Sequence, residues 1–452
     1  MLFSTNFLLE LFPDTKGAVS DHIPINEINT DSRKEIPKSL FIPLKGESFD
    51  GHKFIKDAFY NGAVAAIWQK DIEIPRFIPN DFPIFLVEDT LAALQQLAHQ
   101  YRQKIDPIVV GVTGSNGKTT TKDLIGSVLQ SHFKTVYTKG NFNNHIGLPL
   151  TILSMKPDTE VLILEMGMNH FGEIQLLSEI ALPDYAVITN IGESHLENLG
   201  SREGIAQAKT EIFVGMKKNG VVVCDGDEPL LRGLGSPLTL IGCGFGEENS
   251  VIVQQCTMSD NQMNFHLNTG EDYTLNMLGK HNVKNATYAI VIAKQLKVPE
   301  DKIKKALLET KLTGMRLEMI SGKNGVAIIN DAYNASPTSM RASIEVVKQL
   351  PNFKTKVLIL GDIFELGKDS KKLHQTVADS VTDEINVLFT IGKDADEISK
   401  AVARSGYNVT VSHVDSKAHL LAELQPYLHE EVVILFKASR GMKLETILDE
   451  LK

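Results

Sequence analysis

The sequence predicts an α/β protein of three domains. The central one is a parallel sheet carrying a phosphate-binding loop (P-loop), and the C-terminal one is a doubly wound, Rossmann-like domain. Three observations predict this. The chain has 452 residues, about three times what a typical domain core organises. Short apolar runs alternate with amphipathic stretches along most of its length, the pattern of parallel strands joined by crossover helices. The stretch "GVTGSNGKTTTKDL", Gly111 to Leu124, sets a glycine-rich turn between such a strand and such a helix.

Composition narrows the class. Hydrophobic residues make up 42% and charged residues 23%, ordinary for a soluble globular chain. A net charge of -10 argues against a broad nucleic-acid surface and leaves room for a local anion site. Cys224, Cys243 and Cys256 show no C-x-x-C spacing, so neither a disulfide framework nor a zinc site is expected. The opening "MLFSTNFLLELFPD" has no basic segment and is interrupted by Glu10 and Asp14. No later apolar run is long enough to span a bilayer. The expectation is a cytoplasmic protein without a membrane span, acting as a monomer.

In chain order, residues 1–105 read as an N-terminal α/β domain with a charged loop. A helical stretch, Leu91 to Gln103, ends near Asp106-Pro107, where proline stops the helix. Residues 106–314 form the second unit. Its strands are Ile108 to Val112, "VLILEMGM", "YAVITNIG" and "GVVVCDGD". Between about 250 and 278 short strands without helices suggest an antiparallel appendage. Helices Asn282 to Leu296 and Asp301 to Leu308 follow. Residues 315–452 alternate again, through "VAIIND", "KVLILGD", "VLFTIG", "NVTVSH" and "VVILFKAS".

The loop departs from the common spelling G-x-x-x-x-G-K-[ST], which wants glycine where Val112 stands. What a phosphate cradle needs is nevertheless present: converging backbone N–H groups, a helix N-terminus and a cation. Gly114, Ser115, Asn116 and Gly117 supply the tight path, Lys118 the charge, Thr119 a hydroxyl for Mg²⁺, and Thr120 continues into the helix. Ligands of open α/β sheets bind beyond the carboxyl ends of the strands. Glu165 and His195 lie there. Mg²⁺ prefers oxygen, which favours Glu165; a histidine after a strand also reads as a hydrogen-bonded structural residue. Lys209, on composition alone, is a solvated lysine of an amphipathic helix. Asn282 and Asn285 share a helix face, and Ser336-Pro337 reads as a helix start.

The spelling Thr113-Gly114-Ser115-Asn116-Gly117-Lys118-Thr119-Thr120 resembles the loop of the Mur ligases and of folylpolyglutamate synthases, both ATP-dependent amide-forming enzymes. "NIGESHLENLGSREGIAQAKTEIF" is similar to the Mur segment that holds a metal-binding histidine and a lysine carbamylated by CO₂; these roles map onto His195 and Lys209. "LGKHNVKNATYAI" implies adenine contacts from Asn282, "TGMRLE" an ATP-phosphate contact from Arg316, and "IINDAYNASPTSM" a ribose contact from Asp331, with Asn334 beside it. "TDSRKEIPKSLFIPLKGESFDGHKFIKDAFYNGA" resembles the family's UDP-sugar domain and implicates Ser32 and Arg33.

Two segments resemble the branch that adds D-alanyl-D-alanine to UDP-N-acetylmuramoyl-tripeptide in peptidoglycan precursor synthesis. "GNFNNHIGLPLTIL" carries Asn141, Asn143 and Asn144, with His145 in place of a more usual acidic residue. "LGDIFELG" carries Asp362 and Glu365, with Ile363 where methionine is commoner. The D-N-P-R motif of many third-residue-adding enzymes is absent, and "FKASRGMKLE" is similar to the family's K-x-S-R segment, with Lys437, Ser439 and Arg440. The resemblance implies ATP, two Mg²⁺ ions, an acyl phosphate and domain closure hinged near 312–316. The competing readings are a third-residue-adding or folylpolyglutamate-type ligase, and a regulatory NTPase that makes no amide.

Overall fold

A computed structural model describes residues 1–233, 238–259, 262–311 and 313–452. It is an α/β architecture built on three principal sheets. The N-terminal sheet has five strands in the order Thr15–Lys16, Ile84–Val87, Ala63–Gln69, Ser39–Phe41, Glu27–Asn29, parallel except for the first pair. The helix Thr90–Ile105 leaves it. Asp89 starts this helix by accepting the Leu91 and Ala92 N–H groups at 2.7 and 2.9 Å. Asp106, in a left-handed conformation (φ 47°), ends it ahead of Pro107.

Among the described residues the central sheet has nine strands. Its parallel part runs Val251–Ser259, Thr239–Gly244, Val221–Asp225, Tyr185–Ile188, Ile108–Thr113, Val161–Glu165, Thr135–Tyr137. Val109, Val110 and Val112 are buried because helices cover both faces, which is why these strands read as unbroken apolar runs. The antiparallel strands expected after residue 250 are present, Val251–Ser259 against Gln262–Leu267 and that against Asp272–Leu275. They lie at one edge of the central sheet. Cys243 pairs with Val251 in parallel register, so the hairpins extend the central sheet.

The C-terminal sheet runs Glu318–Ser321, Ala327–Asn330, Val432–Lys437, Thr355–Gly361, Val387–Ile391, Thr410–Val414. It is parallel apart from the antiparallel edge strand Glu318–Ser321. Residue 312 of the expected hinge lies outside the described residues. Among the described residues no helix is long and apolar enough to cross a membrane.

The cores divide unevenly. One continuous apolar cluster takes Phe3, Leu8, Leu94 and Leu97 from the N-terminal part together with Leu162, Leu164, Ile174 and Ile205 from the central part. Arg102, 1% exposed, reinforces this junction. Its Nε donates to the Ala181 carbonyl at 2.7 Å and its Nη2 to that of Leu182 at 3.1 Å. The clusters around the C-terminal sheet draw almost wholly on residues beyond 326.

Candidate active site

A cleft of about 540 Å³ opens where carboxyl ends of the central strands face those of the C-terminal strands. The loop after Ile108–Thr113 forms its floor. Gly114 (φ +144°) and Gly117 (φ +79°) could not carry side chains, since a Cβ would lie 1.9 Å from Thr189 Oγ1 and 2.8 Å from Asn285 Oδ1 respectively. Val112 needs no glycine because it is still strand, paired with Glu165 and Val187. The strand outlasts the position where the common motif turns, which explains the unusual spelling. Asn116 pins the loop: its N–H donates to Asn190 Oδ1 at 3.0 Å and its carbonyl accepts Thr189 Oγ1 at 2.6 Å. The Gly192 N–H donates to Ser115 Oγ at 2.8 Å.

Lys118 opens the helix Lys118–Gln130 and folds its ammonium over the loop, donating to the carbonyls of Gly114 and Ser115 at 2.8 and 3.3 Å. Burial pushes its pKa below the ordinary lysine value, and Glu165 opposes that shift. Thr119 sits between two domains. Its hydroxyl donates to Glu165 Oε2 at 2.8 Å and accepts from Arg316 Nη2 at 2.8 Å. Glu165, 3% exposed, ends Val161–Glu165 and also accepts Asn143 Nδ2 at 2.8 Å. Among the described residues no three His, Cys, Asp or Glu side chains are grouped to hold a metal. The donor set is a hydroxyl and one carboxylate, which suits Mg²⁺ completed by phosphate and water rather than a metal caged by protein alone.

His195 lines the same cleft, in a left-handed conformation (φ 63°). Its Nδ1 lies 2.6 Å from Glu365 Oε2 of the C-terminal domain, and the imidazole holds the Glu365 carboxyl below its usual range. Lys209 is not a solvated lysine. It is 2% exposed on the helix Arg202–Thr210. Burial first, then the charge of Lys118, push its pKa well below the ordinary value.

The C-terminal wall carries Arg316, Asp331 and Asn334, facing Thr120 and Asn282 of the central domain. Asn282 Nδ2 donates to the Leu278 carbonyl at 2.7 Å, and its Oδ1 accepts Asn285 Nδ2 at 3.2 Å. Asp331 Oδ2 accepts Ser343 Oγ at 2.6 Å and Lys437 Nζ at 2.5 Å, while its Oδ1 accepts the Leu317 N–H at 3.2 Å. Ser336 caps the helix Pro337–Gln349 in a reciprocal box with Ser339, and its hydroxyl reaches Asn116 Oδ1 at 3.1 Å. Two buried donors, Arg316 Nε and Asn116 Nδ2, have no partner among the described residues.

The other expected residues lie apart or do structural work. Asn144 Oδ1 accepts the Ile146 and Gly147 N–H groups at 3.2 and 2.9 Å, starting the helix Gly147–Ile152 at the cleft wall. Asn141 is exposed and outside the lining. Asp362 accepts three backbone N–H groups, of Lys393, Asp394 and Ala395, at 2.9, 2.9 and 2.7 Å. Ser32 and Arg33 belong to the N-terminal domain, where Arg33 forks onto Asp31 at 2.7 and 2.9 Å. The His145 carbonyl accepts Gln95 Nε2 at 3.0 Å. Sequence reasoning did not find Tyr333 beneath Arg316, Glu193 facing the C-terminal domain, or Lys437 as the partner of Asp331; only the position of Tyr333 just past a strand end signalled it.

Three family models match the chain: "Mur ligase family, catalytic domain" over residues 24–102, "Mur ligase middle domain" over 112–293, and "Mur ligase, glutamate ligase domain" over 315–440. A Bacillus subtilis relative, UDP-N-acetylmuramoyl-tripeptide–D-alanyl-D-alanine ligase, is 47% identical over 429 residues, covering 94% of this chain and 93% of its own. Among solved structures, MurF from Acinetobacter baumannii superposes with a TM-score of 0.86 at 32% identity, covering 99% of this chain and 98% of its own. The MurF ligase of Thermotoga maritima in complex with ADP gives 0.83 at 29% identity, covering 94% and 96%.

Proposed function

The chain belongs to the Mur ligase family, and from that premise we propose that it is the ATP-dependent, ADP-forming ligase that joins D-alanyl-D-alanine to UDP-N-acetylmuramoyl-tripeptide in peptidoglycan precursor synthesis. The observation that carries the reading is the Thr119 hydroxyl held between Glu165 of one domain and Arg316 of another. A hydroxyl, a carboxylate and a guanidinium converging beside a lysine-bearing loop is an arrangement for activating a phosphoryl group. The unpartnered donors Arg316 Nε and Asn116 Nδ2 fit an anionic ligand there. A regulatory NTPase has no need of strand-end residues from two domains gathered at one cleft.

A carboxylate does not acylate an amine unaided, because its oxygen is a poor leaving group. When bound, ATP with its divalent metal supplies the phosphoryl group that makes the tripeptide carboxylate displaceable, as an acyl phosphate. Lys118 and Arg316 neutralise the charge that develops. Thr119, Glu165, His195 and a carbamylated Lys209 are the ligands we assign to two Mg²⁺ sites. Gly114, Ser115, Asn116, Gly117 and Thr120 cradle phosphate, and Asn282 and Asp331 orient the nucleoside. Ser32 and Arg33 hold the UDP-sugar, which brings proximity rather than chemistry. Asn334 and Glu365 are the residues we place around the tripeptide end and the dipeptide, with Asn144 ordering the turn at the cleft wall. Asp362, with its carboxylate committed to three N–H groups, contributes by ordering its loop.

The test is acceptor choice. A buried site built for an amine, an internal amide and a carboxylate rejects an acceptor that leaves those contacts unpaired. D-Ala-D-Ala is expected to exceed D-Ala, L-Lys or diaminopimelate by about hundredfold or more in kcat/KM, measured as ATP-dependent amide formation on the UDP-muramoyl acceptor. Preference for any single amino acid would overturn the assignment.

A further inference from the structure

Arg316 reaches the cleft from an unusual stretch of backbone. Met315 (φ 63°) and Leu317 (φ 51°), on either side of it, are both left-handed without being glycine, a conformation that side chains disfavour. Backbone hydrogen bonds hold this path: the Met315 N–H donates to Glu318 Oε2 at 3.0 Å, the Tyr333 N–H to the Met315 carbonyl at 3.3 Å, and the Leu317 N–H to Asp331 Oδ1 at 3.2 Å. At the tip, the Arg316 guanidinium carbon lies 4.2 Å from the centroid of the Tyr333 ring. Nη2 donates to Thr119 Oγ1 at 2.8 Å, and Nε is buried without a partner among the described residues. On the same ring, Arg440 lies 5.9 Å from the centroid, tied to Glu445 at 3.1 Å.

We propose that Tyr333 is the positioning residue for Arg316. Its ring fixes the plane of the guanidinium, so that Nη2 stays on Thr119 and the Nε–H remains free for an anionic oxygen of the ligand. Arginine is suited to this because its planar, weakly hydrated head stacks on an aromatic face as an ammonium does not. Unstacked, the side chain has several rotamers to lose before its donors are aligned. The working part of Tyr333 is the ring and not the hydroxyl, which makes no hydrogen bond to any described residue. The inference rests on the reading above that Arg316 meets the transferring phosphoryl group.

The experiment is a mutant cycle on the ligation of D-Ala-D-Ala. Tyr333→Leu is expected to lower kcat about tenfold while leaving KM for the UDP-muramoyl-tripeptide unchanged; a general loosening of the cleft would move both. Tyr333→Phe is expected to restore turnover to within about twofold of the unsubstituted enzyme, since it keeps the stacking face. In an Arg316→Ala background, Tyr333→Leu is expected to cost nothing more, because residues acting as a unit are not additive. Arg316→Lys probes the same stack without touching Tyr333 and is expected to lose turnover comparably, so the test survives if Tyr333→Leu does not fold. Normal kcat in Tyr333→Leu or Arg316→Lys, a Phe variant as impaired as the Leu variant, or an undiminished Leu effect without Arg316 would each overturn the proposal. Normal turnover in Arg316→Ala would instead remove the role of Arg316 itself.

Discussion

At the scale of single residues, Lys209 shows most clearly what a side chain's surroundings add to its letter. In a charged segment it reads as a surface lysine, yet it is buried and its pKa is driven down by burial and by Lys118. A depressed pKa leaves more of the amine neutral near pH 7, and only the neutral amine adds CO₂. Carbamylation, as proposed, would replace a buried cation with an anionic oxygen donor that suits Mg²⁺. Lys209→Ala is therefore expected to lose activity by about hundredfold or more, with partial recovery when acetate or propionate fills the vacated space. No recovery across a range of small carboxylates, in a variant that is folded by circular dichroism, would count against the carbamate. The residues legible beforehand were those whose chemistry is local in the chain: Gly114, Gly117, Lys118 and Thr119 announce a phosphate loop within a few positions. The pairing of Asp331 with Lys437 spans 106 positions, and nothing in either neighbourhood signals it.

At the scale of elements, period and punctuation were enough for the strands and helices, because buried parallel strands and amphipathic helices differ in spacing. What they could not show is which side chains serve the backbone. From the sequence, Asp362 can either meet a ligand at its strand end or order its own loop. Its three accepted N–H groups make it the clasp of the turn leading to the helix Asp396–Arg404. The turn is tight around it, since a Cβ at Gly392 would meet the Asp362 carboxylate at 2.5 Å. Removing that acceptor leaves three donors to find water or go unpaired. Asp362→Ala is expected to destabilise the C-terminal domain by about 1–3 kcal/mol, read as a fall of several degrees in Tm and as faster hydrogen exchange at residues 393–395. An unchanged Tm would show that the clasp contributes nothing and would return Asp362 to the list of candidate ligand contacts.

At the scale of the whole molecule, the three sheets are not joined alike, and the difference bears on how the enzyme closes. The N-terminal and central sheets share one apolar cluster and the buried Arg102, so they are expected to move together. The C-terminal domain meets them at the cleft mainly through polar contacts. Ser336 touches Asn116, Arg316 touches Thr119, and Glu365 faces His195. Glu193 accepts the Thr338 hydroxyl at 2.7 Å, with Arg341 at 3.6 Å. Each such bond contributes about 1 kcal/mol or less once water is counted, so an open arrangement is expected to lie close in free energy, with a bound nucleotide expected to tip the balance toward closure. The Glu193 contacts are a useful probe because they cross the interface through side chains that make no hydrogen bond to the phosphate loop. Arg341→Ala with Thr338→Ala is expected to shift the ligand-free protein toward open forms, seen as a larger radius of gyration in solution scattering. Saturating ATP analogue with Mg²⁺ is expected to reverse that shift, and Tm should change little because no core is disturbed. If the radius is unchanged in the double variant, closure does not depend on these contacts and the apolar surface near Leu278, which joins the C-terminal cluster, must hold the domains instead.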